Sequence, residues 1–176
     1  MYVGMRGEGQ KLNFESACRA DMLQSHIGIR HYMPRDRDYV FHLLSFLPKL
    51  YPGSFDWLDR RLDEVEQQHA LCRLALVHST VAGILIETPK GVRTSKISTF
   101  FVGNQICRRG VGSLLFRSSL ARWHTAGIDN VYVTVAGSRQ KLLDPFLQSR
   151  GFVESAHLPD RYGAGRDELI YSLKLK

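Results

Sequence analysis

The chain has 176 residues, of which 44% are apolar and 23% are charged, a size and balance typical of a single soluble globular domain. It contains no run of about 18 consecutive apolar residues and no apolar N-terminal signal, so we expect a cytoplasmic protein without a membrane partner. Lysine and arginine outnumber aspartate and glutamate by 24 to 17, and the net charge of +7 favours acidic ligands, nucleotides and nucleic acids among them.

The first part of the chain predicts an extension followed by a strand and two helices. Residues 1–26 are polar and lack periodicity, so we expect them to form an extension of a domain that spans residues 27–176. The alternating stretch IGIRHYM predicts the first strand of that domain. Proline suits a first helical turn, so a helix is predicted to begin at Pro34 and to stop before Pro48. Apolar residues at helical spacing predict a second helix over 55–68.

The remainder of the chain alternates between short β-like runs and helical patterns. CRLALV and VAGILIE, separated by the polar HST, predict a hairpin, and KISTFFV predicts the next strand. A helix is predicted over 111–125, followed by the strand NVYVTV, a helix over 139–150, and two final strands, GFVESAHL and DELIYSLKL. The order β-αα-ββ-β-α-β-α-β-β predicts an α/β fold with a central mixed sheet flanked by helices.

The three cysteines of the chain are Cys18, Cys72 and Cys107. Their odd number and wide spacing favour neither a disulfide framework nor a metal cluster. We therefore expect reduced thiols and no metal cofactor.

The stretch CRRGVG, residues 107–112, lies between a predicted strand and a predicted helix. The first turn of a helix has backbone N–H groups without internal partners and a partial positive charge. Gly110 and Gly112 leave these groups accessible, and Arg108 and Arg109 add charge, so the stretch predicts a pyrophosphate-binding turn. The alternative is a helix start that only turns the chain tightly. The P-loop lysine and the third glycine of the dinucleotide fingerprint are both absent, so neither of those motifs matches.

This motif, its place after KISTFFV, the later Gly-Phe of QSRGF and the order of elements together resemble the GNAT superfamily of acetyl-CoA-dependent N-acetyltransferases. The resemblance implies that the pantetheine arm pairs with the backbone of Phe100, Phe101 and Val102 like a short added strand. Cys107 stands where the family usually has glutamine or arginine. By the same resemblance, the pyrophosphate is held by the backbone of Arg108, Arg109, Gly110, Val111, Gly112 and Ser113.

The catalytic groups of the family are only partly matched. The position of its usual acid, a tyrosine, is occupied by Leu147, which cannot donate a proton. Tyr162, in the loop between the last two strands, is the candidate acid, and His157 competes with it. Glu87, at the end of a hairpin strand, is the candidate base, and a water relay is the alternative to both side chains.

The resemblance implies an enzyme that transfers an acetyl group from acetyl-CoA to a primary amine by direct attack in a ternary complex. Two alternatives remain open. The charge of +7 favours a toxin-like enzyme that acetylates aminoacyl-tRNA, whereas the missing family tyrosine favours a catalytically inactive acyl-CoA-binding regulatory module. The sequence does not indicate which amine is the acceptor, and we expect a monomer or a homodimer.

Overall fold

The computed structural model describes residues 27–176, and the predicted extension over residues 1–26 lies outside the described residues. Within these described residues, seven strands form one sheet in the order β1-β2-β3-β4-β5-β7-β6, in which only β4 and β5 are parallel neighbours. The strands are β1 Ile27–His31, β2 Leu71–Val77, β3 Thr80–Pro89, β4 Thr94–Val102, β5 Asn130–Ala136, β6 Val153–Leu158 and β7 Glu168–Lys174. The helices are α1 Arg37–Leu43, α2 Leu47–Leu50, α3 Ser54–Glu66, α4 Val111–Thr125 and α5 Gln140–Gln148. The predicted α/β fold with a mixed sheet is confirmed.

The predicted first helix is divided in the structure. A short 3-10 turn at Pro34–Asp36 leads into α1, and α1 ends at Leu43 rather than continuing toward Pro48. Pro48 lies in the first turn of α2, a position where the missing N–H of proline leaves no intrahelical bond unmade. The prediction that Pro48 stops a helix was therefore wrong, because this proline starts one.

The sheet carries a separate apolar core on each of its faces. On one face, α4 and α5 cover a cluster that includes Leu85, Leu115 and Val133. On the other face, α1 and α3 cover a cluster that includes Val40 and Leu58. Within the described residues, no helix is long and apolar enough to cross a membrane.

The two parallel strands separate halfway along their length. β4 and β5 pair over four residue pairs, the last of which is Ile97 with Val133. Beyond that point β4 stays with β3, and β5 stays with β7 as far as Ala136 opposite Glu168. The register between β3 and β4 shifts at this level and leaves Ser98 without a paired residue, and such a bulge bends a strand. The carboxyl ends of β4 and β5 therefore diverge and leave an opening in the sheet.

A buried carboxylate connects β3 to α4. Glu87 is 1% exposed, and its Oε1 accepts hydrogen bonds from Arg73 Nη1 at 2.6 Å and from Ser119 Oγ at 2.7 Å. Its Oε2 accepts a hydrogen bond from Trp123 Nε1 at 2.6 Å and another from the guanidinium of Arg122. A buried charge is tolerated when it is paired and hydrogen-bonded in this way. The contacts hold α4 in one rotation against the sheet.

We predict that Glu87→Gln lowers the free energy of unfolding by about 3 kcal/mol or more, because Arg73 and Arg122 lose their anionic partner. Urea denaturation measures the change. The matched control is Asp129→Asn, which removes an exposed pair with Arg93 and is expected to cost less than about 1 kcal/mol. Equal losses in the two variants would contradict a structural role for Glu87.

Candidate functional site

The turn that leads into α4 presents a row of free backbone donors. Arg108 and Gly110 have left-handed conformations, with φ of 63° and 81°. Among the described residues, none supplies a hydrogen-bond acceptor to the six consecutive N–H groups from Arg108 to Ser113. The first N–H with a partner is that of Leu114, which donates to the carbonyl of Gly110 at 3.0 Å. Successive free N–H groups at a helix start form a concave site for an anion.

Gly112 is required by close packing as well as by access to these donors. A Cβ atom on Gly112 would lie 3.3 Å from Cζ of Phe100 on β4 and 3.4 Å from Cε2 of Phe146 on α5. The same Cβ atom would lie 3.6 Å from Cγ2 of Val102. The two phenylalanine rings pack on each other with centroids 5.0 Å apart. The glycine turn and the end of β4, both predicted to bind one cofactor, are therefore adjacent in the structure.

A mainly apolar cleft begins where β4 and β5 separate. Leu147 lies in it and is buried, so the position of the family tyrosine faces the cleft but carries no ionisable group. The backbone of Phe100, Phe101 and Val102 pairs with β3 on one side and, among the residues that the structure describes, has no strand partner on the β5 side. The cleft is lined by Ile97, Ser98, Thr99, Phe100, Phe116, Val133, Thr134, Val135, Leu143, Phe146, Leu147 and Phe152.

Arg150 lies beside the start of α4, and the sequence did not single it out for this site. Its Nη2 donates to Ser113 Oγ at 2.6 Å, and its guanidinium carbon lies 3.5 Å from the centroid of the Phe146 ring. Burial lowers the pKa of Arg150, and the neighbouring charge of Arg117 lowers it further. Within residues 27–176 it forms no ion pair, so its charge is available to an anion at this turn.

Cys107 lies next to the donor row but has a different role. Its exposed thiol is 3.5 Å from each of the carbonyl oxygens of Val102 and Gly103, as a weak hydrogen-bond donor to the preceding loop. In the described part of the chain, no three metal-ligating side chains come together, and Cys18 lies outside it.

Tyr162 is on the opposite face of the sheet from α4. It is 44% exposed, and its hydroxyl donates to Oε1 of Glu168 at 3.2 Å. Its ring packs edge-on against Tyr51, with centroids 5.3 Å apart. Partial burial raises the pKa of Tyr162, and the negative charge of Glu168 raises it further. The phenol therefore stays protonated at neutral pH.

The loop that carries Tyr162 is organised by Asp167. Its Oδ2 lies 2.8 Å from His157 Nε2, and its Oδ1 accepts a hydrogen bond from the backbone N–H of Asp160 at 3.0 Å. These two bonds lower the pKa of Asp167. His157, the competing candidate acid, is therefore engaged in holding the loop that presents Tyr162.

The contacts of Glu87 argue against a role as the base. Its two oxygens accept four hydrogen bonds beneath α4, which leaves no free lone pair directed at a substrate. Leu169 faces α4, so its neighbour Glu168, with Tyr162 attached, lies on the other face of the sheet. Glu87 and Tyr162 are thus separated by the sheet itself.

Sequence reasoning also missed Tyr51, Lys96 and Glu168, which lie around Tyr162 or on the same face. Glu168 is 7% exposed although it is a carboxylate, and Lys96 is half-buried over the ring of Tyr132. The signal in the sequence is a charged residue at an alternating position within a predicted strand, which is too common to identify a site.

Known proteins similar to this chain are found among solved structures. No protein-family model and no curated protein sequence matches it. Among solved structures, a GNAT-family acetyltransferase from Desulfovibrio desulfuricans has 20% identity and a TM-score of 0.74, over 84% of this chain and 98% of that chain. Ard1 from Thermoplasma volcanium has 21% identity and a TM-score of 0.73, over 86% of this chain and 99% of that chain. A Bacillus subtilis acetyltransferase in complex with CoA has 20% identity and a TM-score of 0.68, over 85% of this chain and 99% of that chain.

The similarity extends over almost the whole length of each of these structures. At this level of identity it reports on the arrangement of the backbone rather than on individual side chains. The chain has the fold of the GNAT N-acetyltransferases.

Proposed function

We propose that the chain is an acetyl-CoA-dependent N-acetyltransferase that acts on a primary amine by direct attack in a ternary complex. The observation that carries the proposal is the row of six free N–H groups over 108–113, placed beside the opening between β4 and β5. A structure of the same fold in complex with CoA supports the choice of cofactor.

Each part of the cofactor has a matching part of the site. The diphosphate would accept hydrogen bonds from the free N–H groups, with Arg108 and Arg109 supplying charge. The pantetheine amides would pair with the free backbone edge of β4 at residues 100–102, as an added strand does. The thioester would then lie in the apolar cleft, near the gap through which the opposite face is reached.

The chemistry requires a proton donor for the leaving thiolate. The amine nitrogen attacks the thioester carbonyl carbon, the C–S bond breaks, and the sulfur takes up a proton. Leu147 cannot supply it, whereas Tyr162 carries a phenol that remains protonated because its pKa is raised. We assign Tyr162 the role of general acid and leave Glu87 its structural role.

One alternative function is favoured by a specific observation. The buried Leu147 in the cleft suits a module that binds an acyl-CoA without turning it over. A thiol-release assay with acetyl-CoA over small amines, peptides and charged tRNA separates the candidates. Release with any amine supports the enzyme, release with charged tRNA alone supports the toxin-like enzyme, and binding without release supports the module.

We predict that Gly112→Glu weakens acetyl-CoA binding by at least about tenfold, because a side chain there presses on Phe100 and Phe146 and places a carboxylate among the free donors. Calorimetry measures the affinity. Gly28→Glu is the matched control, since a Cβ atom on Gly28 meets nothing within 4 Å. Unchanged affinity in a folded Gly112→Glu variant would refute the assignment of the cofactor site.

We predict that Tyr162→Phe lowers kcat by about a hundred- to ten-thousand-fold and leaves acetyl-CoA affinity unchanged, because it removes only the proton donor. The raised pKa sets the pH profile: in the wild type, loss of this proton should reduce the rate only above the ordinary tyrosine range of about pH 10.

Steady-state kinetics test the role of Tyr162, with Tyr39→Phe on α1 as the control for loss of an exposed tyrosine hydroxyl. A loss of less than about threefold in Tyr162→Phe would show that water or another group donates the proton. In that case Leu147→Tyr, which restores the tyrosine of the family, should raise the rate.

A further inference from the structure

We propose that Glu168 and Lys96 form a charged acceptor site on the sheet face opposite α4. This site selects an amine that also carries an anionic group, with the amine at Glu168 and the anion toward Lys96. The inference rests on the proposed acetyl transfer, because it names the class of acceptor for that reaction.

Strand alternation places the two residues on one face. Val133 and Leu169 are buried on the α4 side, so their neighbours Tyr132 and Glu168 face the other way. The ammonium of Lys96 lies 5.8 Å from the centroid of the Tyr132 ring, on that same face. The last pair before β4 and β5 separate is Ile97 with Val133, so this face borders the opening. An acceptor bound here reaches the thioester through the sheet.

Glu168 has the surroundings of a carboxylate that lacks its cation. It is 7% exposed, yet within residues 27–176 no cationic group lies in ion-pair distance of it. Its Oε1 accepts one hydrogen bond from Tyr162, and its Oε2 accepts none from the described residues. Oε2 is therefore the carboxylate oxygen that remains for an incoming group. A buried carboxylate is stable when a cation pairs with it.

The neighbouring aromatic rings suit an ammonium group as that cation. Tyr51 and Tyr162 meet edge to face at 5.3 Å next to the carboxylate. The hydroxyl of Tyr162 donates to Glu168, Tyr51 packs on Tyr162, and the charge of Glu168 contributes to the raised pKa of both phenols. An ammonium that pairs with the carboxylate gains further where it also meets the face of one of these rings.

Lys96 makes the other part of this face positive. It is half-buried and, within the described residues, has no carboxylate within ion-pair distance. Burial lowers the pKa of Lys96; Glu168 opposes the shift, and the nearby charges of Lys90 and Arg61 add to it. A second positive charge on the acceptor would be repelled here, whereas an anionic group would gain a partner. The site therefore discriminates among acceptors by the charge of the group that lies at the other end from the reacting amine.

The proton balance assigns a chemical role to Glu168. The acceptor ammonium gives one proton to Oε2 of Glu168 and becomes a neutral nucleophile. Its nitrogen bonds to the acetyl carbon, the C–S bond breaks, and the second proton passes to the thiolate through Tyr162, whose hydroxyl is 3.2 Å from Glu168. The products are the acetamide, CoA thiol and one proton, which leaves Glu168 for water.

The register of the sheet sets the separation of the two charges on the acceptor. Lys96 on β4 pairs with Tyr132, and Glu168 on β7 pairs with Ala136, four residues or about 13 Å farther along β5; because β4 and β7 flank β5, the two backbone positions are also about 10 Å apart across the strands. The two side chains shorten this distance between their charged ends. Amine and anion should therefore be separated by several bonds, as in an ω-amino acid, rather than attached to one carbon.

The experiment compares three acceptors of one length: ε-aminocaproate, hexylamine and hexamethylenediamine. We expect kcat/KM for thiol release to fall in that order in the wild type, by roughly fivefold per step. Lys96→Met should remove the difference between ε-aminocaproate and hexylamine, and Lys96→Glu should make the diamine the best acceptor. Glu168→Gln should lower kcat/KM for all three by about a hundredfold or more. In the Glu168→Gln variant, kcat/KM should also no longer depend on the protonation state of a catalytic base.

Acetyl-CoA affinity measured by calorimetry separates the two levels of the argument. Failure of the wild-type protein to bind acetyl-CoA would overturn the proposed function. Binding and turnover with an acceptor order that Lys96→Glu leaves unchanged would overturn the charge selection alone. Full activity of Glu168→Gln would overturn its role as base. If acetyl-CoA binds without turnover, calorimetric affinities of the three acceptors for the CoA-loaded protein decide, and equal affinities would overturn the inference.

Discussion

Burial of the Glu87 carboxylate is the constraint on which the position of the candidate site depends. Three of its four donors come from α4, at Ser119, Arg122 and Trp123, and this spacing places them on one helix face. Val111 and Leu115 continue the same stripe toward the start of the helix, where they are buried against the sheet. Because an unpaired buried charge is costly, α4 has one acceptable rotation. That rotation directs its first turn, with the free N–H groups, toward the end of β4.

A second local feature, the bulge at Ser98, lies at the opening that connects the two faces of the sheet. Where β4 and β5 are paired, the sheet separates the α4 side from the Tyr162 side. The unpaired residue bends β4 at the level where its pairing with β5 ends. The opening lies between the apolar cleft on one face and the charged residues Lys96 and Glu168 on the other, as the proposed reaction requires.

The order of elements and the glycine turn could be predicted from the sequence because both are local. Periodicity identifies strands and helices, and the chemistry of Gly110 and Gly112 is contained in the first turn of one helix. The environment of Glu87 could not be predicted, because its partners lie 14 to 36 residues away and a bulge changes the register beside it. The lack of an ion pair at Glu168 among the residues described could not be predicted either, because it depends on the distances at which the fold places the cationic side chains.

The fold also distributes the basic excess in a way that bears on the partner. Arg30, Arg37, Arg73 and Arg122 are consumed by ion pairs that hold elements together. Other arginines have no ion pair within the described part of the chain. Five of them are dispersed along it: Arg35, Arg60, Arg139, Arg161 and Arg166. Of four more, Arg108 and Arg109 lie in the turn before α4, Arg117 lies on α4, and Arg150 contacts Ser113 in its first turn. A nucleic acid needs cations along an extended surface, whereas a diphosphate needs them at one point. The four arginines grouped at this helix start therefore suit the diphosphate of the proposed cofactor better than an extended nucleic acid.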